Sequence, residues 1–326
     1  MSREGKRAAR SLAAVLVFTG VAGEPVIAQE PVYVRRLVLP VSGDQIGYPQ
    51  GVTADPHTGE IFVCDSRVNR ILIFDADGLF LYEIPGGDTF AAPQDVAVDP
   101  EGHLVVTASR DRDRALVELD FDGLFRRVIQ VFGLPEGAAE PRISSLALSP
   151  TGDRLYLLDP ENLRVWIASR EGEVTGSIDL AAGLTPKEAS EMIPGHVDVY
   201  GDTVLVAVSS SSQIRMYDLD GRPLRQVGIR GTARCTLAFP TAAAMARDGE
   251  LVIVDQQRML IMRWNPETNR CLGEHIGLGD APGYLYYPMD LALDRSGRLV
   301  VSQGFEGRVQ MYQGMTPAPA AAAATR

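Results

Sequence analysis

The sequence predicts an all-β protein, a six-bladed β-propeller of four-stranded antiparallel blades closed by the N-terminal strand completing the last blade. Three observations predict it. The first is a sixfold repeat: residues 61–80, 104–125, 155–174, 204–223, 251–269 and 299–313 align, bringing the turn glycines Gly59, Gly102, Gly152, Gly201, Gly249 and Gly297 into register, 43 to 50 residues apart. Short β-rich runs at such a period are the mark of a blade-repeat architecture. The second is the order of signals inside one repeat, which spells four short strands. The third is that the last repeat stops after its third strand, at Tyr312, while Val32–Leu39 near the other end resembles a closing strand.

The elements follow in chain order. Arg3, Lys6, Arg7 and Arg10 precede an apolar stretch from Leu12 to Ala22, and Val26 and Ala28 suit a small-residue cleavage site, so residues 1–28 read as an export signal. An apolar core of about eleven residues is too short to cross a bilayer core of about 30 Å. The mature chain is expected to begin at Gln29 and to be exported, periplasmic or secreted, with no membrane span. Val32–Leu39 resembles the closing strand of the second repeat and is expected to pair onto the sixth blade, leaving no open seam.

In the second repeat Asp95–Asp99 alternates, Pro100 to Gly102 turns, Leu104–Ala108 is apolar, Ser109–Arg114 is polar, Ala115–Leu119 is a strand, Asp120–Gly123 turns and Leu124–Ile129 closes. We name the four strands A to D. The Asp-x-Asp-Gly turns at 75–78, 120–123 and 218–221 suit tight hairpins, because Gly supplies positive φ and Asp bonds its own backbone. A calcium loop would need further ligands and a glutamate at its twelfth position, which none of the three supplies. Leu184–Ile193 carries Thr185, Pro186 and Glu188 in a capping box and predicts a short helix. Trp166 and Trp264 fall in third strands, where they fill the core. Residues 314–326 form a disordered Pro/Ala-rich tail, so one domain, 29–313, holds the fold.

Composition excludes some functions. The chain of 326 residues has a formal charge of −11; residues 1–28 carry four basic and two acidic groups, so removing their +2 leaves −13. Such a body repels phosphate backbones, and nucleic acid is a poor partner. Of the three cysteines, Cys64 reads as a buried small hydrophobe, and Cys235 with Cys271 is the candidate pair.

Pro49–Gly78 (PQGVTADPHTGEIFVCDSRVNRILIFDADG) and Tyr287–Tyr312 resemble the NHL repeat family: a proline and small residue, an alternating strand, a Gly turn, an apolar strand ending in Asp, then Asn-Arg-Ile and Asp-Gly. The fourth repeat matches least. The resemblance implies a six-bladed propeller and leaves the activity open, because the family includes binding modules, protein-interaction platforms and a few enzymes.

In a propeller the A strands line the central channel, and the D–A and B–C connections surround one mouth, the default site. The first inward positions are Gly51, Asp95, Ser145, His196, Ala242 and Asp290, with Asp198 one step deeper. Asp95, His196, Asp198 and Asp290 are the candidate acid–base groups, and Asp95, His196 and Asp290 the candidate metal ligands. The structural alternative has the aspartates bonding backbone amides and His196 filling the channel. Amidating lyases resemble this fold and hold zinc through histidines that follow the strand A proline; Gln50, Gln94, Thr241 and Met289 stand there instead, and His57, His103 and His275 lie elsewhere.

A binding rim is expected from Arg67, Arg110, Arg112, Arg114 and Arg258 in the B–C connections and Tyr284, Tyr286 and Tyr287 in the connection to blade 6. For arginines in the Asn-Arg-Ile position, an ion pair with a neighbouring blade's Asp65, Asp159 or Asp255 is the structural reading. The expected function is binding of a protein or small ligand at the channel mouth, with no cofactor and no reaction of its own. The alternative is a lyase or hydrolase with the Asp/His site, using a divalent metal.

Overall fold

Ile61–Cys64, Leu155–Leu158, Val204–Val208 and Leu251–Val254 are apolar at every position rather than at alternate ones. Such strands need cover on both faces. The structure, a computed structural model, provides that cover by standing six sheets round an axis, and it describes residues 31–41, 44–294 and 296–314. Blade 1 consists of Pro49–Ala54, Ile61–Asp65, Arg70–Phe74 and Phe80–Pro85, strands A to D in order. The A strands of blades 2 to 6 are Ala91–Val98, Ser145–Leu148, Pro194–Tyr200, Pro240–Met245 and Pro288–Leu293. Each touches the A strand of the next blade, and that of blade 6 touches that of blade 1, so the ring is closed.

The core is divided among the six seams. Phe62, Ile71, Val96 and Leu104 join blades 1 and 2; Leu146, Leu155 and Trp166 join blade 3 to Ala97 and Val105 of blade 2. Four similar clusters fill the remaining seams, so every B strand is buried on both faces. Trp166 and Trp264 are wholly buried in strand C, as expected. The A–B turn glycines all have positive φ, between 54° and 85°, a backbone conformation that costs other residues strain. In the Asp-x-Asp-Gly turns the first carboxylate accepts from backbone amides two and four residues on, as Asp75 does from Asp77 and Leu79.

The expected ring closure is present. Val32–Arg36 pairs antiparallel with Arg308–Gln313 as the fourth strand of blade 6, and Leu37 beyond it is 1% exposed in the seam with blade 1. The helix is Pro186–Ser190, with Thr185 accepting from the Glu188 amide and the Glu188 carboxylate accepting from Thr185 in return. It lies in the connection from blade 3 to blade 4. The export signal and residues 315–326 of the tail lie outside the described residues. Among the described residues no helix is long and apolar enough to cross a membrane.

The strand B aspartates act differently from expectation. Asp65 accepts from the amides of Gly47 and Tyr48, which lead into its own blade, and from Arg70 of that blade at 3.2 Å. Asp255 likewise accepts from Ala238 and Phe239, and Asp159 from the Trp166 indole at 2.9 Å. These carboxylates fasten each D–A connection to its own blade rather than pairing with a neighbour's arginine. The physical reason is that wholly buried carboxylates take fixed amide donors close in the chain, which cost less entropy to hold than a long side chain.

Cys235 and Cys271 are bonded, tying the connection before blade 5 to that blade's D strand, and Cys64 is a buried free thiol. The bridge closes a loop spanning 36 positions, so chain entropy puts its contribution at about 3–4 kcal/mol. Cys271→Ser is expected to lower stability by about that amount in denaturant unfolding, and adding reductant to the variant should change nothing further.

Candidate functional site in the axial channel

Six A strands in one register place six side chains at each level of the channel. At the first level Gly51, Ser145 and Ala242 leave space, and Asp95, His196 and Asp290 fill it. His196 reaches across from blade 4: its Nε2 is 2.9 Å from Asp95 Oδ2, and its Nδ1 is 3.4 Å from Asp290 Oδ1. Gly51 allows this closeness, since a Cβ there would lie 2.7 Å from Asp95 Oδ1. Both aspartates also brace the next blade, Asp95 accepting from the Leu146 amide of blade 3 and Asp290 from the Val52 amide of blade 1, each at 2.9 Å. Ser145 does the same for Val197 of blade 4. Thus both structural readings of these residues are present: aspartates on backbone amides and a histidine filling the channel.

Burial alone would lower the His196 pKa, but the charges of Asp290 and Asp95 and the bond to Asp95 raise it to about 10. At neutral pH it is an imidazolium. For Asp290, burial is the largest influence and raises the pKa to about 7, His196 pulling it back. The two upward shifts look contradictory for an ion pair. They agree once three carboxylates are counted against one imidazolium, because the excess negative charge is relieved by a proton on Asp290 before His196 gives one up. Asp198, deeper in the channel, is raised by burial to about 6, with the His196 charge opposing.

One ligand atom from each of Asp95, His196 and Asp290 lies within 4.8 Å of the others. As they stand, however, the ring nitrogens face different carboxylates, so these three residues do not surround one point. A single ion would take His196 and both aspartates only after the ring released one of them. Asp99, Glu101 and His103 form a second such group in an A–B turn, where Arg170 already holds Asp99 at 3.0 Å.

The channel below the triad is open. At its second level stand Thr53, Ala97, Ala147, Asp198, Ala244 and Ala292, five of them small and uncharged, and they wall a cavity of about 470 Å³ roofed by Asp95 and His196. The cavity is lined by the A–B turns, including Pro56, Pro100, Pro150, Gly201 and Arg247, and by no residue of a D–A or B–C connection. The concavity therefore lies on the side of the triad away from the mouth expected from the sequence. Bulky polar groups fill the first level, whereas short side chains leave the second level empty.

On the expected mouth the rim residues are partly brought together. The Arg67 guanidinium lies over the Tyr48 ring at 5.8 Å, and Tyr48 and Tyr287 both stand edge-on to Phe305, at 6.2 and 4.4 Å. Tyr284 and Tyr286 are exposed. Arg110 donates to the Thr89 carbonyl and stacks 4.9 Å from the Phe125 ring, and Arg114 donates to Gln94. Arg112 is exposed in a left-handed turn. Arg258 is not a free donor: it is largely buried, bonded to Glu274 and to the Thr236 carbonyl at 2.6 Å each. Sequence reasoning missed Tyr48 and Phe305, although the one directly precedes the strand A proline of blade 1 and the other sits between the glycines of the blade 6 turn. It also missed Tyr200 and the second-level small residues.

Comparison with known proteins agrees with this geometry. The NHL repeat model matches residues 47–74, the first blade from its D–A connection to the end of strand C. The chain is a six-bladed propeller carrying an NHL repeat. The propeller is similar to a structural genomics protein of unknown function from Bacteroides thetaiotaomicron VPI-5482, with a TM-score of 0.63 and 16% identity over 88% of this chain and 74% of that one. It is also similar to a streptogramin B lyase structure, with a TM-score of 0.58 and 13% identity over 88% of this chain and 99% of that one. At these identities the likeness shows the fold alone. No curated protein matches the propeller by sequence. A binding or interaction propeller is the general function this fold supports.

Proposed function

We propose that this is an exported propeller that binds a small ligand in the axial cavity and performs no reaction of its own. The observation that carries the reading is that the three ionisable groups of the first level are spent on one another and on backbone amides, while the space beneath them is preformed. An imidazolium with both nitrogens facing carboxylates is no general base at neutral pH. A cavity of this size falls within the range of small-molecule sites, roughly 300–1,000 Å³. The export expectation rests on Arg3 to Ala28 and would be checked by the N-terminal residue of the mature protein, expected to be Gln29.

A second reading is a lyase or hydrolase. It is favoured by Asp198, whose pKa near 6 suits proton transfer, and by the shared fold with streptogramin B lyase. The test is to titrate a small-fragment mixture into the protein and follow alanine methyl signals. Shifts confined to Ala97, Ala147, Ala244 and Ala292, and lost in Ala244→Phe, are expected. Shifts at Arg67, Tyr286 and Tyr287 instead would move the site to the expected mouth. Stoichiometric zinc or manganese, lost in Asp95→Ala and Asp290→Ala, would favour the enzyme.

A further inference from the structure

If the axial cavity takes a small ligand, its lining specifies the ligand's charge. Besides Tyr200, six ionisable side chains line it: His57, Asp95, His196, Asp198, Arg247 and Asp294. Asp95 and His196 face each other, Asp294 is held by Arg298 at 2.6 Å, and His57 lies 3.6 Å from Asp55. Arg247 is exposed at the opening. Asp198 stands apart: its Oδ1 accepts from the Val199 amide at 2.8 Å, and its carboxylate makes no other hydrogen bond or ion pair among the described residues.

Asp198 also has an aromatic companion. Tyr200 is two residues on in the same strand, hence on the same face and about 7 Å away, and it lines the same cavity. Facing them across the ring is Thr53 of blade 1, flanked by Ala97 and Ala292, with Ala147 and Ala244 on the blades to either side of Asp198, so the rest of this level offers methyl groups and a single hydroxyl. A carboxylate beside an aromatic ring within a largely apolar wall is the chemistry that holds a positively charged nitrogen bearing carbon substituents. A hydrated metal ion would gain nothing from the ring or the methyls.

We propose that the axial cavity binds a compact organic ammonium ligand, its charged nitrogen paired with Asp198 and flanked by Tyr200. This rests on the reading that the cavity is the ligand site, and the experiment separates the two. The mature propeller is titrated with choline and with its neutral carbon isostere, 3,3-dimethylbutan-1-ol, while the methyl signals of Ala97, Ala147 and Ala292 are followed. Choline is expected to shift them and to bind at least about tenfold more tightly than the isostere. Asp198→Asn is expected to reduce choline affinity at least about tenfold while the melting temperature does not fall, and Tyr200→Leu to reduce it several-fold. Equal affinity for the two probes, or unchanged choline binding by Asp198→Asn, overturns the inference. If the isostere shifts the methyls and choline does not, the cavity remains a ligand site and only its charge preference is wrong. If neither probe shifts them, the inference fails together with the reading beneath it.

Discussion

A chain beginning at Val38 is expected to lose the cooperative unfolding of the whole ring rather than to fray at one corner. Val32–Arg36 supplies the outer ladder of blade 6, the Leu37 amide continues it by donating to Val309 at 2.9 Å, and the Leu37 side chain is buried among Val52, Phe74 and Met311. Tyr33 stands edge-on to Tyr312 at 6.1 Å. A buried leucine contributes about 2 kcal/mol, a half-buried tyrosine about half as much, and ladder hydrogen bonds about 1 kcal/mol each. Together these approach the total stability of an ordinary domain, about 5–15 kcal/mol. Removal also uncovers the strand Arg308–Gln313 along its length, a template for pairing with another chain. Guanidinium unfolding with size-exclusion chromatography should show a lost or much lower transition and association. Leu37→Ala, which keeps the strand, should cost about 2–4 kcal/mol. A truncated chain unfolding like the full one would mean that the ring closes by other means.

His196→Ala is expected to cost about 3–5 kcal/mol near pH 8, because it strands two carboxylates, each about 5% exposed, without their counter-charge. The sign with pH follows from the shifts. His196 is raised from 6.5 to about 10, so its contribution is full below pH 6.5 and is lost as pH rises through 10. Asp290 and Asp198 are raised from 3.8 to about 7 and about 6, so the folded state holds protons that the unfolded state has released, and stability again falls as pH rises through that window. Carboxylates held low, such as Glu118 and Glu274, act in the opposite sense but only below about pH 4.5. Between pH 5 and pH 9 the wild type should therefore become steadily less stable, by up to about 1.4 kcal/mol per unit for each proton difference. In His196→Ala the imidazolium's own fading contribution is gone, so only the raised carboxylates set the slope of the variant. Urea unfolding at pH 5.5, 7 and 8.5 measures both slopes, and a wild-type stability that rises over this range would contradict the assignment.

The ring was legible because its signals are local and repeated. A turn glycine needing positive φ and an apolar run buried on both faces recur six times, and an Asp-Gly hairpin three times, with each copy reinforcing the alignment of the others. The same register put Asp95, His196 and Asp290 at one level, which the structure brings into contact. Three things were not legible. Whether a channel is blocked or open at a given level depends on the joint size of six side chains from six repeats, so the cavity below the triad could not be read from any one of them. The partners that tie Asp65 and Asp255 to the D–A connections are main-chain amides, which carry no residue signature, and the one arginine on Asp65, Arg70, comes from its own blade. The commitment of Arg258 to Glu274 depends on the course of the connection before blade 5, which the disulfide helps to fix.

The central claim is that His196 is a fixed imidazolium sealing the channel between two aspartates. Titrating the ring nitrogens of His196 by nitrogen-15 NMR tests it most directly. Both nitrogens are expected to remain protonated at pH 8, with half-titration near pH 10. A ring that loses its proton near pH 6.5, or that shifts on adding one equivalent of zinc at pH 7.5, would contradict it.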